Sequence, residues 1–424
     1  MAKNDIIKVH CFNTEMGTLG WDEHKSVSYF QYHPEFLKND IYPNLIPKTG
    51  IIKPVSQVQV FKKYNNETFR GLPPLFADSL PDMFGNIIFK SWMESNNRDF
   101  EKISVIEQLA YVADRGMGAL EYQPKKPIPS ATTIDIEEIV DVLKSVLEIK
   151  KKTSSKKLDH QSLLNIFKIG TSAGGARPKI LISQKKSDGT IIPGDINYEN
   201  DYEHLIVKLN LDVDDVRYNR EVIEYCYYLT ATRCEINMKP SKLIDGRHFA
   251  TQRFDRIEGE KIHMLTASGM TGWDFKDPSV SSYENLFELS IFLKLPHAEI
   301  EQLFRRMVFN VVFANHDDHL KNHSFTFDKV KGKWNLSPAY DITYSLNPLI
   351  NYKRTSRALS INNKRTDINL TDIQYIAKKY TIRNYKNIVE SVLSGIDFWK
   401  KYVKKHQVAS NIIANISRDF SVLK

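Results

Sequence analysis

The spacing of apolar residues changes between about residues 256 and 283 of this 424-residue chain, and that change limits the folds open to it. Between 168 and 256 the runs KILIS, HLIVKLN and RHFATQRFDR carry β-branched and aromatic residues in short stretches, the pattern of strands. One helical segment, EVIEYCYYLTATRCEI, interrupts them. Beyond about residue 283, YENLFELSIFLKL, AEIEQLFRRMVFNVVFAN, LTDIQYIAKKY and YKNIVESVLSGIDFWKKYVKKH repeat apolar side chains every third or fourth position. A strand-rich part followed by a helical part predicts an α+β chain of two lobes with a site at their junction.

Upstream, residues 1–62 hold short strand-like runs, IIKVHCF and SQVQVF, broken by Gly, Pro and Asn, and read as a small β-rich unit. GLPPLFADSLPDMFGNIIFKSWM, 71–93, reads as a loop entering a helix. EKISVIEQLAYVADRGMGALEYQP, 101–124, reads as a helix ending near Asp114 and then a Gly-rich turn. KKPIPSAT, 125–132, starts no regular pattern and marks a domain boundary. The next segment spaces Ile139, Leu143, Val146 and Leu147 as a helix does, with Asp135 and Glu138 set for a capping box. KKKTSSKK, 150–157, reads as an exposed linker. The expected division is 1–125, 126–260 and 261–424: a β-rich N-terminal subdomain, a strand-rich lobe and an all-helical C-terminal lobe.

Composition excludes several classes. A 42% hydrophobic and 26% charged chain has the make-up of a globular protein rather than a disordered one. The net charge of +8 permits contact with phosphates without demanding it. Cys11, Cys226 and Cys234 form no CxxC pair and make a poor disulfide framework, which points to a reducing cytoplasm. The N-terminal MAKNDIIKVHCFN has no long apolar run, and no stretch approaches the ~20 apolar residues of a membrane span.

The chemistry concentrates in FANHDDHLKNHSF, 313–325, which admits a metal cage, an acid/base site or a solvated loop. Asp317 and Asn322 stand five positions apart, and Asp341 follows in SPAYDITY. In a phosphotransfer site the first aspartate orients a hydroxyl and accepts its proton, while the Asn and the later Asp offer hard oxygens to Mg²⁺. SFTFD followed by KWNLSPAYD fits a β-hairpin that returns Asp341 beside Asn322. Zinc held by His316, His319 and His323 is the competing reading.

Two further signals lie upstream. GTSAGGARPK, 170–179, is Gly-rich, and glycines let backbone N–H groups approach phosphates; it is not a Walker motif. Lys208 sits inside the apolar run HLIVKLN, where an unpaired ammonium is costly to bury, and Glu224 in the next helix is a candidate partner. A plain turn, an edge strand with Lys208 in solvent and a polar loop would satisfy each signal singly. Their order, Gly-rich loop, strand lysine, helix glutamate, D-x-x-x-x-N and a later aspartate, is that of protein kinases.

With these motifs the sequence resembles the HipA family of bacterial toxin Ser/Thr kinases, over nearly the whole chain. GLPPLFADSLPDMFG and VADRGMGALEYQP resemble that family's N-terminal subdomain, TSAGGARPK its phosphate loop, QRFDR its hinge, HDDHLKNHSF its catalytic loop and LSPAYDI its metal-binding segment. The resemblance implies a two-lobed protein-kinase-like fold using ATP and Mg²⁺, with Asp317 catalytic and Asn322 and Asp341 on the metal. It places Gly174, Gly175, Ala176, Arg177, Pro178 and Lys179 in the phosphate loop and Lys208, paired with Glu224, on the nucleotide phosphates. Gln252, Arg253 and Phe254 fall at the adenine hinge, mainly through backbone groups, and His319, Lys321 and Tyr340 beside the nucleotide. Ser172 matches the serine whose autophosphorylation ejects the loop, as two added charges near ATP phosphates would favour. The implied partners are a HipB-like DNA-binding antitoxin, with DNA reached only through it, and a protein substrate such as an aminoacyl-tRNA synthetase. The implied setting is the bacterial cytoplasm, at the nucleoid when the antitoxin is bound. A small-molecule kinase and an inactive nucleotide-binding scaffold in a DNA-bound repressor complex are the alternatives. Asp318 departs from the family, which often has Gly there, and Arg177-Pro178 stiffens the loop.

Overall fold

The N-terminal runs alternate as a half-buried sheet requires: along β1 (Asp5–Cys11) Ile7, Val9 and Cys11 are buried while Ile6 and Lys8 are exposed. In this computed structural model, which describes residues 5–39, 42–45, 51–81, 83–126, 135–151, 177–194, 200–211, 218–347, 352–353 and 356–423, β1 joins a five-stranded antiparallel sheet. The sheet runs in the order β4-β3-β2-β1-β5, with β2 Thr14–Asp22, β3 Val27–Tyr32, β4 Gln59–Phe61 and β5 Leu120–Gln123. A two-residue turn with positive φ at both Phe12 and Asn13 links β1 to β2, the geometry that matches strand twist. Helices α1 (Pro34–Leu37), α2 (Pro74–Ala77), α3 (Met83–Ser95) and α4 (Val105–Val112) complete this part.

A second five-stranded antiparallel sheet follows in the order β7-β6-β8-β10-β9. Its strands are β6 Lys179–Lys185, β7 Ile191–Pro193, β8 Tyr202–Lys208, β9 Ser241–Ile244 and β10 His248–Gln252. Ile180, Ile182, Leu205, Val207 and Ala250 of this sheet share one core with Ile88, Phe89 and Trp92 of α3 and with Ile139, Val140 and Leu143 of α5 (Ile136–Lys151). Helix α3 thus belongs in packing to the strand-rich lobe, although its sequence lies in the N-terminal subdomain. Asp135 caps α5 by accepting from the Glu137 N–H at 2.8 Å. Of the KKKTSSKK stretch, residues 152–157 lie outside the described residues.

Helix α6 (Arg220–Arg233) carries Glu224 on its buried face. After it come the short strands β11 (Arg256–Ile257) and β12 (Glu260–Lys261), then β13 (His263–Thr266) and α7 (Ala267–Thr271). The helical lobe holds α8 (Tyr283–Phe292), α9 (His297–Val312), α10 (Leu370–Lys379), α11 (Tyr385–Lys405) and α12 (Ser410–Arg418). Gly395 lets α11 approach α6, since a Cβ there would lie 2.6 Å from Cys234 Sγ.

The C-terminal lobe is helical in bulk but not throughout. A three-stranded sheet, β13-β14-β15, with β14 Ser324–Asp328 and β15 Lys333–Leu336, stands in it. The expectation of an all-helical lobe is corrected here: Phe325, Phe327, Trp334 and Leu336 alternate with more exposed positions, a period that only a strand pair buries. The hairpin expected from SFTFD and KWNL is β14–β15, and it carries the chain from Asn322 round to Asp341. One continuous core joins the N-terminal sheet to the helical lobe, from Val9 and Phe30 to Phe309 and Trp399.

Candidate active site

Lys208 ends β8, opposite Lys179 on one side and Phe249 on the other. The strand faces inward at this point, and Lys208 is only 7% exposed. Its ammonium is answered by two carboxylates: Nζ donates to Glu224 Oε1 at 2.5 Å and to Asp341 Oδ1. Burial pushes the Lys208 ammonium down, but Asp341 and Glu224 outweigh it and hold it protonated. Burial likewise disfavours charge on Asp341, yet Lys208, Lys179 and Arg177 together hold its carboxyl far below the usual carboxylate range. Arg177 Nη1 stands 3.8 Å from Glu224 Oε2, an ion pair too long for a hydrogen bond. Asp341 has φ +55°, a left-handed conformation uncommon outside glycine and enriched at functional sites.

The catalytic-loop candidates come from the end of α9. The chain leaves that helix at Phe313 and turns through Ala314, φ +53°. Asn322 Nδ2 donates to the Asp317 carbonyl at 2.8 Å, closing the D-x-x-x-x-N loop on itself. The Asp317 side chain is exposed. Asp318, its neighbour, is buried at 1% and receives hydrogen bonds from Arg357 Nη2 at 2.9 Å and Tyr283 Oη at 2.8 Å. Adjacent aspartates therefore face opposite ways, one to solvent and one into a buried network. Asn322 and Asp341 line one small polar cavity with Arg306, Asn310, Asp318 and His323.

The remaining predicted residues divide. His319 and Lys321 both lie against Phe275, with ring centroids 4.9 Å apart for His319 and Lys321 Nζ 5.4 Å from the ring centroid. Tyr340 Oη donates to the Lys321 carbonyl at 2.8 Å, and its ring faces Phe254 at 5.8 Å. The backbone N–H groups of Gln252 and Arg253 are taken up by the carbonyls of Pro240 and His204, at 2.9 and 2.8 Å. The Arg253 guanidinium turns away into a cluster around Asp255, with Nε–Oδ1 at 2.9 Å and Nη2–Oδ2 at 2.8 Å. Ser172, Gly174, Gly175 and Ala176 lie outside the described residues. Pro178 accepts from the Leu209 N–H at 3.0 Å, which seats the start of β6 beside Lys208.

Three groups were not singled out by motif: Phe275 beneath His319 and Lys321, Arg357 on Asp318, and Ser345, whose Oγ accepts from the Asp317 N–H. The doubled acid of HDDH was the one available signal, because two adjacent aspartates cannot both be buried without a partner for each. Among the described residues the convergent trio of His, Asp or Glu donors is Glu137, Asp245 and His248, so the histidines of the loop do not gather around a point. The donor set fits a hard cation elsewhere. Asp341 is held ionised on the cavity it shares with Asn322, whose amide nitrogen is spent on Asp317 and whose oxygen is the ligand end.

The fold and this site define a two-lobed, kinase-like α+β protein. Residues 7–123 match the HipA N-terminal domain and residues 171–400 the HipA-like C-terminal domain, and the chain belongs to the HipA family. Among solved structures it is similar to HipA of Shewanella oneidensis MR-1 in a complex with HipB and operator DNA. The identity is 15%, the TM-score 0.63, and the match covers 97% of this chain and 94% of that one. The Helicobacter pylori proinflammatory kinase CtkA matches at TM-score 0.34 and 14% identity, over 58% of this chain and 92% of that one. No curated protein sequence matches the chain.

Proposed function

We propose that the chain is a Mg-ATP-dependent Ser/Thr protein kinase and the toxin of a toxin–antitoxin pair. The observation that carries this reading is Lys208, buried in a strand and bonded at once to Glu224 and Asp341. A buried cation between two carboxylates is costly to assemble for stability alone, and it is the arrangement that prepares a lysine for nucleotide phosphates. Asp317, exposed on a loop braced by Asn322, is placed to accept the proton of an incoming hydroxyl. Asp341 and Asn322 would hold Mg²⁺, which would supply charge neutralisation on the phosphates. Lys179 and Arg177 add positive charge to the same corner.

The family resemblance supports the finer parts of this reading. The substrate is a protein of the translation apparatus, an aminoacyl-tRNA synthetase being the leading choice, and autophosphorylation at Ser172 curbs the enzyme. The Shewanella structure supports a HipB-like DNA-binding antitoxin as partner, with DNA reached through it. Among the described residues no helix is long and apolar enough to cross a membrane.

The test is transfer of labelled phosphate from Mg-ATP to protein in lysate and to the chain itself, comparing wild type with Asp317→Asn and Ser172→Ala. Label on wild type should fall by at least about 1,000-fold in Asp317→Asn. Self-labelling should vanish in Ser172→Ala, whereas equal label in all three forms rejects both assignments. Label passing to an added small molecule and to no protein would move the substrate class.

A further inference from the structure

The loop that carries Asp317 is held at its backbone by Ser345, three residues beyond the LSPAYDI segment. Ser345 Oγ accepts from the N–H groups of both His316 and Asp317, each at 2.9 Å. The same hydroxyl donates to Asn315 Oδ1 at 3.4 Å. Two bonds accepted and one donated use the whole capacity of a hydroxyl, so its rotor is fixed. These amides need an outside acceptor, because the chain has left α9 through the left-handed Ala314 and is in no ladder.

The anchor behind Ser345 is itself rigid. Asn315 Nδ2 donates to Asn310 Oδ1 at 3.1 Å, and Asn310 Nδ2 donates to Tyr283 Oη at 2.9 Å. Ile342 and Tyr344, between Asp341 and Ser345, are buried at 3% and 6%. Tyr344 Oη donates to Asp419, which fixes the segment against the end of the chain. The short run from Asp341 to Ser345 therefore carries a metal-ligand candidate at one end and the brace of Asp317 at the other.

We propose that Ser345 is a positioning residue for phosphoryl transfer, setting the place of Asp317 relative to Asp341 through the backbone of the catalytic loop. This rests on Asp317 being the proton acceptor. The consequence is a mechanical link: a shift of the metal-binding segment withdraws the acceptor from both amides and frees Asp317 as well. Ser345 touches no reacting atom in this scheme, so its removal acts on the turnover step and spares nucleotide binding.

The experiment compares full-length wild type, Ser345→Ala, Ser345→Thr, Asp317→Asn and the double variant Asp317→Asn/Ser345→Ala, by steady-state kinetics and by amide hydrogen exchange of the peptide spanning 313–319. Ser345→Ala should lower kcat by about 10- to 100-fold, the scale of a displaced catalytic group. The KM for ATP should move by less than about twofold, since ground-state binding is untouched. Ser345→Thr, which keeps the hydroxyl, should recover most of the loss. In the Asp317→Asn background Ser345→Ala should cost nothing further, because it acts only through Asp317. Exchange at 316 and 317 should quicken in Ser345→Ala and return in Ser345→Thr. A wild-type kcat with unaltered exchange in Ser345→Ala overturns the proposal, as does a further loss in the double variant, which marks general damage. An inactive wild type with the expected exchange pattern overturns instead the kinase reading and the role built on it, leaving the hydrogen-bond geometry in place.

Discussion

Two buried ion clusters stand in this molecule, and they are satisfied to different degrees. Around Asp255, 0% exposed, the carboxylate receives Arg253 through both oxygens, Arg256 Nη1 at 2.8 Å and the Gly118 N–H at 2.8 Å. The Arg256 guanidinium goes on to the carbonyls of Gly116 and Gly118, both at 3.0 Å. The cluster thus stitches the Gly-rich turn of the N-terminal subdomain to the QRFDR segment, the expected hinge. Around Lys208 one ammonium is hydrogen-bonded to two carboxylates, with Arg177 and Lys179 as further cations nearby, and the set is incomplete. Glu224 Oε2 and Arg177 Nη1 have no hydrogen-bond partner among the described residues, and Asp341 keeps a left-handed backbone and 31% side-chain exposure. A buried carboxylate met on both oxygens by two guanidiniums and a backbone N–H is a structural lock, whereas a carboxylate with a spare acceptor and a part-exposed one beside a cavity are fitted to receive a charged ligand.

The sharpest way to break this contrast is to remove one member from each cluster. Lys208→Met should cost about 100- to 1,000-fold in kcat, the loss typical of one preorganised donor. Lys179 and Arg177 remain beside the carboxylates, so the drop in melting temperature should be the smaller of the pair. Asp255→Asn leaves two buried guanidiniums short of their counter-charge and should cost about 3–5 kcal/mol of stability. The molecules that stay folded should turn over at the wild-type rate. Calorimetry paired with kinetics on each variant decides the matter. An Asp255→Asn protein that melts like wild type but fails to transfer phosphate would make the hinge cluster part of the site.

The two clusters were unequally visible in the sequence. Lys208 announces itself because an ammonium in HLIVKLN violates the strand's own period, and the helix that follows supplies Glu224 within sixteen residues. The lobes were legible for the same reason, since periods of two and of three to four are local properties. Asp255 gave no comparable sign: QRFDR was matched to a hinge, and nothing in it pointed to the ion cluster that forms once the fold brings in Gly116 and Gly118 from 137 to 140 positions away. Arg357 on Asp318 and Ser345 on Asp317 are hidden likewise, as pairings across 39 and 28 residues. The small sheet inside the helical lobe was half seen, as a hairpin, because its third strand, β13, lies far upstream of the other two.

Acid separates the clusters from a third set of buried groups. Asp255 and Asp341 are both held far below the ordinary carboxylate range, so the stability they contribute is present above that range and lost only as pH falls beneath it. The buried histidines act earlier. Burial lowers His204 and His323 to about 4 and His263 to about 3, and for His204 the nearby Arg253 and Arg256 add to it. Each ring is neutral when folded, whereas the unfolded chain takes up protons near the ordinary value of about 6.5. Stability is therefore full above about 6.5 and declines as pH falls toward 4, by at most about 1.4 kcal/mol per pH unit for each histidine. His263, 1% exposed between Trp334 and Phe12, is the cleanest probe, since burial alone accounts for its shift. Urea titrations from pH 7.5 to 4.5 should show a shallower decline for His263→Leu than for wild type. Asp255→Asn should start lower and fall with nearly the wild-type slope, because Asp255 stays ionised in both folded and unfolded chains over most of that window. A slope that flattens in Asp255→Asn and not in His263→Leu would place the acid sensitivity in the hinge cluster, and would mean that the lock joining the N-terminal turn to the hinge opens well before its aspartate is protonated.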